Sequence, residues 1–98
     1  MHYVYVIKSH RFNWIYIGNT SDLRKRFHQH NSGQDQSTKH YAPLALVYYE
    51  AYRSKSDAIK REHVLKTHGQ QKEMLYKNIS KSLDLAEPSR PTLSSFNG

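Results

Sequence analysis

The sequence predicts an α+β domain: a small, mostly antiparallel three-stranded sheet flanked by helices, in the order β-β-α-β-α-α. Three observations predict it. Residues 3–8 and 14–17 are short strand-like runs joined by five turn-like residues, the length of a hairpin connection. Residues 44–52, LALVYYEAY, are rich in β-branched and aromatic side chains and form the strongest strand signal in the chain. The polar segments between and after these runs carry capping residues and helical spacing of apolar positions.

Taken in order, Gly18 closes the second run, and Asn19, Thr20 and Ser21 supply N-caps for a helix opening at Asp22. Leu23 and Phe27, four apart, form its buried face, and Gly33 lies just beyond its end. Residues 34–43 read as a loop. Ser54 and Asp57 have capping-box spacing and open a second helix running to about Thr67, with Gly69 as its stop. Residues 70–79 are helix-prone. From Ser80 the chain turns to Ser, Pro, Asn and small residues, so residues 1–79 read as the domain and 80–98 as a polar, flexible tail.

Ninety-eight residues make one small domain with a single modest core. There is no cysteine, which excludes disulfides and thiolate metal sites. No apolar run approaches the roughly 20 residues that cross a bilayer, and MHYVYVIKSH lacks the layout of a signal peptide, so a cytoplasmic protein with no membrane partner is expected. Fifteen Lys and Arg against eight Asp and Glu give a net charge of +7. Over residues 79–98, Lys81 and Arg90 cancel Asp84 and Glu87, so the excess lies wholly in the first 78 residues. A compact domain with that imbalance predicts a polyanionic partner, most commonly nucleic acid.

Several residues stand out chemically. Arg26 and His30 are four apart and share a helix face; arginine grips phosphate bidentately, and imidazole accepts or relays a proton. Ala58, Glu62 and Leu65 fall at i, i+4 and i+7, which puts Glu62 on an apolar face where a carboxylate is costly unless paired or liganded. Two readings stay open for it. One is a salt bridge to Arg26 or Lys66; the other is a hard divalent cation such as Mg²⁺, which takes one carboxylate, several waters and substrate phosphates. Zinc is not expected: His28 and His30 diverge, His63 and His68 do not share a face, and there is no HExxH.

With these features in place, the chain resembles a GIY-YIG nuclease domain over residues 2–75. The matching elements are Tyr3-Val4-Tyr5, Tyr16-Ile17-Gly18, Arg26 with His30, and Glu62 in AIKREHVLK. HNSG at 30–33 and LVYYE at 46–50 resemble short stand-alone bacterial members related to the excinuclease C N-terminal domain, a kinship associated with DNA repair. The resemblance implies a divalent-metal-dependent DNA endonuclease. Tyr5 would be the general base, assisted by His30, and Tyr16 would hydrogen-bond within the site. Arg26 would bind the scissile phosphate. Glu62 would hold a single Mg²⁺ or Mn²⁺. A free phenol titrates near about 10, so this role requires Arg26, His30 or the metal to favour phenolate.

Three departures from the family pattern stand out. Tyr3 replaces the glycine of the first triplet. Asn19 stands where relatives sometimes carry lysine, so cationic help there is absent. Asn78 is the candidate for a late asparagine near the metal. Nucleic-acid contacts are expected of Arg24, Lys25, Lys39, His40, Tyr41, Lys60, Arg61 and Lys66. A cationic surface with exposed aromatics around the loop 31–43 suits single-stranded or branched DNA better than base readout in an intact duplex. The competing reading is a non-catalytic nucleic-acid-binding module of the same fold.

Overall fold

The computed structural model describes residues 1–86. Strands β1 (His2–Ser9), β2 (Ile15–Thr20) and β3 (Leu44–Tyr52) form one antiparallel sheet in the order β2-β1-β3. Helix α1 (Leu23–Asn31) covers one face, and α2 (Lys55–Thr67), α3 (Gly69–Asn78) and α4 (Ser80–Leu85) lie on the other. The predicted class and order hold, with a single 3₁₀ turn at Lys39–Tyr41 inside the loop and one further helix at the end.

Because β1 is central and covered on both faces, Val4, Tyr5, Val6 and Ile7 are each at most 1% exposed. Strand alternation sends Val4 and Val6 to the core shared with Ile17, Ala58, Leu65, Leu75 and Ile79, while Tyr5 and Ile7 join Leu44 beneath Leu23 and Phe27 of α1. The β1–β3 register skips Val47, since Val6 faces Tyr48 and Ile7 faces Leu46. This bulge puts Leu44 and Leu46 on the α1 side and Tyr48, Glu50 and Tyr52 on the α2 side.

Four local expectations are corrected. Gly18 does not close the second strand: β2 continues to Thr20 because Tyr5, Val4 and Tyr3 pair with Gly18, Asn19 and Thr20. The N-cap of α1 is Asp22, whose carboxylate accepts the Lys25 N–H at 3.0 Å, and the helix opens at Leu23. Gly69 is the first residue of α3, not a left-handed stop; the positive φ falls at Gly33, at 79°, beyond α1. The tail does not begin at Ser80, because α4 continues the chain onto the core, with Leu83 packed there and Ala86 buried. The rest of the predicted tail lies outside the described residues.

Glu50 and Arg61 join β3 to α2. Arg61 Nε lies 3.0 Å from Glu50 Oε1 and its terminal nitrogen 3.1 Å from Oε2, a two-point contact. The Tyr48 and Tyr52 hydroxyls donate to the same carboxylate at 2.6 and 2.5 Å. Burial pushes both phenols up to about 12, and the neighbouring carboxylate adds to it. Arg61 was expected on the nucleic-acid surface; its guanidinium is instead engaged within the fold, because Glu50 faces α2 after the bulge.

Two stability predictions follow from this packing. A Cβ at Gly18 would stand 2.6 Å from Tyr5 Oη and 2.9 Å from Tyr16 Cε2, whereas one at Gly69 meets nothing within 4 Å. Gly18→Ala is therefore expected to cost about 1–3 kcal/mol in denaturant unfolding, with Gly69→Ala neutral or slightly stabilising. Glu50→Ala leaves a guanidinium and two phenols without their acceptor and is expected to cost about 2–4 kcal/mol, more than Lys60→Ala at an exposed site, in the same measurement.

Candidate active site

The site starts from the buried phenol of Tyr5. In the central strand its side chain has one way out, over Gly18 of the neighbouring strand, where the missing Cβ leaves room for the ring. There its hydroxyl meets His30 Nε2 at 2.7 Å. His30 is fully buried on the last turn of α1, and its Nδ1 lies 2.9 Å from Thr38 Oγ1. Thr38 can give its own proton to the Asp35 carbonyl oxygen, 3.5 Å away, so His30 Nδ1 carries hydrogen and Nε2 is left to accept from Tyr5. Tyr16 completes an aromatic triangle, its ring 6.4 Å from Tyr5 and 5.3 Å from His30.

Electrostatics fix the protonation states. Burial, reinforced by Tyr16, pushes the Tyr5 phenol up to about 12 against the opposing pull of Arg26. Burial also lowers the His30 imidazole from its usual 6.5, and the Arg26 guanidinium adds to the effect. The resting pair is thus phenol and neutral imidazole. Of the neighbours expected to favour phenolate, Arg26 does pull the phenol down, but desolvation outweighs it. A protonated Tyr5 takes a proton only by passing its own to His30, and the 2.7 Å contact provides for that.

Arg26 lies on the His30 face of α1, as its spacing predicts, and its partner is Asp35, with Gln29 Oε1 a further acceptor at 3.3 Å. Asp35 is held by the Ser37 hydroxyl at 2.6 Å and the Ser37 N–H at 2.9 Å. Those contacts, joined by Arg26, hold its carboxyl down at about 2. Neither Asp35 nor Thr38 was singled out in the sequence. An Asp two residues before a Ser signals a tight local turn, but nothing in that spacing says the turn folds back against α1.

Glu62 approaches from the other face of the sheet, at the edge formed by β2. Its Oε2 accepts from Asn19 Nδ2 at 3.0 Å and lies 3.7 Å from Lys66 Nζ, which also stands 5.4 Å above the Tyr16 ring. Lys66 thereby links the two halves of the site. Of the two partners considered for Glu62, Lys66 is present and Arg26 is not. The amide hydrogen-bonded to Glu62 belongs to Asn19, and Asn78 sits exposed at the end of α3.

Glu62 is 19% exposed at a solvent-accessible edge, and both its contacts use one oxygen. Among the described residues no group of three His, Cys, Asp or Glu comes together. Such a donor set fits Mg²⁺ or Mn²⁺ held by one carboxylate with waters and substrate phosphate, not a closed protein cage.

Of the residues expected to touch nucleic acid, Arg24, Lys25, Lys39, His40 and Lys60 are exposed. Tyr41 is not a free aromatic: it stacks on Trp14 with centroids 3.9 Å apart, and is half-buried because both rings close over the α1-side core. The described helices include none long and apolar enough to cross a membrane.

The chain is similar to known proteins over most of its length. The model of the GIY-YIG catalytic domain matches residues 1–77. A UPF0213 protein of Staphylococcus saprophyticus is 40% identical over 74 residues, covering 74% of this chain and 89% of that protein. A UPF0213 protein of Staphylococcus aureus matches to the same extent, 40% over 74 residues. The solution NMR structure of the UPF0213 protein BH0048 from Bacillus halodurans is 27% identical, covers 80% of this chain and 85% of that one, and has a TM-score of 0.49. Tyr5, Tyr16, Arg26, His30 and Glu62 all fall within the matched span, and the chain belongs to the GIY-YIG family.

Proposed function

We propose that the protein is a divalent-metal-dependent DNA endonuclease that hydrolyses phosphodiester bonds. The observation that carries the reading is the Tyr5–His30 contact of 2.7 Å beside Arg26, with Glu62 at the same sheet edge. As water attacks phosphorus, its proton passes to Tyr5 Oη while the phenol proton moves to His30 Nε2. The P–O bond to the leaving sugar oxygen breaks, and that oxygen takes a proton from solvent. Arg26, drawn off Asp35 by the incoming phosphate, stabilises the charge that develops on the phosphoryl oxygens. Glu62 would hold Mg²⁺ or Mn²⁺, which supplies Lewis-acid stabilisation of the phosphate when bound.

Single-stranded or branched DNA is the proposed substrate. Beside the Trp14–Tyr41 stack, the exposed rings of Phe12 and His40 stand 5.3 Å apart, with Phe12 5.7 Å from Tyr41. Arg11 lies over Phe12 at 5.3 Å, and Lys39, next to His40 in sequence, is exposed. Unpaired bases stack on such a surface while lysine and arginine follow the phosphates, a mode that tolerates any sequence.

The deciding experiment is cleavage of labelled single-stranded, flapped and duplex DNA with Mg²⁺, Mn²⁺ or EDTA. Metal-dependent cleavage that Glu62→Ala abolishes without abolishing binding is expected; binding without cleavage under every metal would leave the non-catalytic module. Tyr5→Phe and His30→Ala are each expected to lower kcat by about 10²–10⁴-fold, and Arg26→Ala by about 10²–10³-fold. Because His30 must be neutral and its pKa is lowered, kcat/KM should hold constant from pH 8 down to the usual imidazole value of 6.5 and fall only below it. A rate that climbs about tenfold per pH unit through the alkaline range would instead mean that phenolate is the base.

A further inference from the structure

Beyond the proton relay, a second, partly buried hydrogen-bonded chain ends on Glu62. His2 Nε2 lies 2.9 Å from Asn19 Oδ1, and Asn19 Nδ2 lies 3.0 Å from Glu62 Oε2. The chemistry of the last link orients the others. An ionised carboxylate only accepts, so the Asn19 amide nitrogen must face Glu62 and its oxygen must face His2. The oxygen accepts in turn, so His2 carries hydrogen on Nε2.

The chain crosses three elements: His2 on the central strand, Asn19 on β2 and Glu62 on α2. His2 is only 8% exposed, and Asn19 is fixed in a strand by the Val4–Asn19 pairing. Glu62, by contrast, has a long side chain at an open edge, with the 45% exposed Lys66 as its other neighbour. An exposed pair at 3.7 Å holds geometry weakly. A neutral amide orients the carboxylate through Oε2 without itself offsetting its charge, which leaves Oε1 for a cation.

We infer that Asn19, itself held by His2, is the positioning residue that presents Glu62 to a divalent cation. The inference rests on the nuclease reading for the cation's presence, but its test does not depend on cleavage. Mn²⁺ alone is titrated calorimetrically into the full chain, beside Asn19→Ala, His2→Leu and His2→Gln, with thermal unfolding of each. Outer-shell partners of metal ligands are worth about 10–100-fold in affinity, and Asn19→Ala is expected to weaken Mn²⁺ binding by that factor. His2→Leu, which removes the donor, should weaken it less, and His2→Gln, which keeps an N–H, should restore it. In the cleavage assay the Mn²⁺ concentration for half-maximal rate should rise for Asn19→Ala, while KM for DNA at saturating metal stays unchanged. Wild-type affinity in a folded Asn19→Ala overturns the inference and leaves the nuclease reading intact. Affinity loss that merely tracks thermal destabilisation across the three variants overturns it as well. A wild-type chain that takes no Mn²⁺ without DNA overturns the inference, while the nuclease reading is decided separately by cleavage with Mg²⁺ or Mn²⁺ against EDTA.

Discussion

A phenol in the middle of a sheet must either find a partner or leave a polar group stranded, and the site grows from how Tyr5 meets that demand. Its strand is covered on both faces, and the hydroxyl finds its partner within the protein. It turns over the one neighbour without a side chain, Gly18, and ends on His30. The imidazole is in turn fixed by Thr38, and Thr38 belongs to the turn that also carries Asp35, the partner of Arg26. Satisfying one buried hydroxyl therefore sets the position of the helix, the loop after it and the guanidinium between them. The same burial raises the phenol and lowers the imidazole, and one hydrogen bond joins the two.

The sheet acts as a wall with chemistry meeting at one edge. From one face come Tyr5, Tyr16, Arg26 and His30; from the other come Glu62 and Lys66, reaching β2 through Asn19. β2 is suited to this because it is an edge strand, so side chains from both faces can approach around it. The opposite edge, β3, is pinned to α2 by Glu50 and Arg61. One helix thus has its basic residue tied on the β3 side and its acidic residue offered on the β2 side, one position apart in sequence.

Charge is divided along the same lines. Arg61 is engaged by Glu50 across β3 and α2, and Arg26 is paired with Asp35 across the end of α1 and the turn after it. Arg24, Lys25, Lys39 and Lys60 point outward as the electrostatic attraction for a polyanion. A count of basic residues in the sequence does not separate these groups, since an arginine committed to a carboxylate and one pointing outward look alike there.

What the sequence determined by itself was periodic or chemically distinctive: the strands, the helices and their faces, and five site residues whose order and spacing match one family. Val4, Val6, Ile15 and Ile17 were legible as packing residues because strand alternation has a period of two. What only the tertiary structure decided was pairing between distant elements. The strand order, the bulge at Val47 that turns Glu50 toward Arg61, the capture of Arg26 by Asp35 and the chain from His2 through Asn19 to Glu62 each join residues at least nine positions apart. No local propensity encodes such a contact; it follows from which faces the core brings together. The phenol's protonation state belongs to the same class, because desolvation is a property of the finished fold and overrode the charge that sequence proximity had suggested.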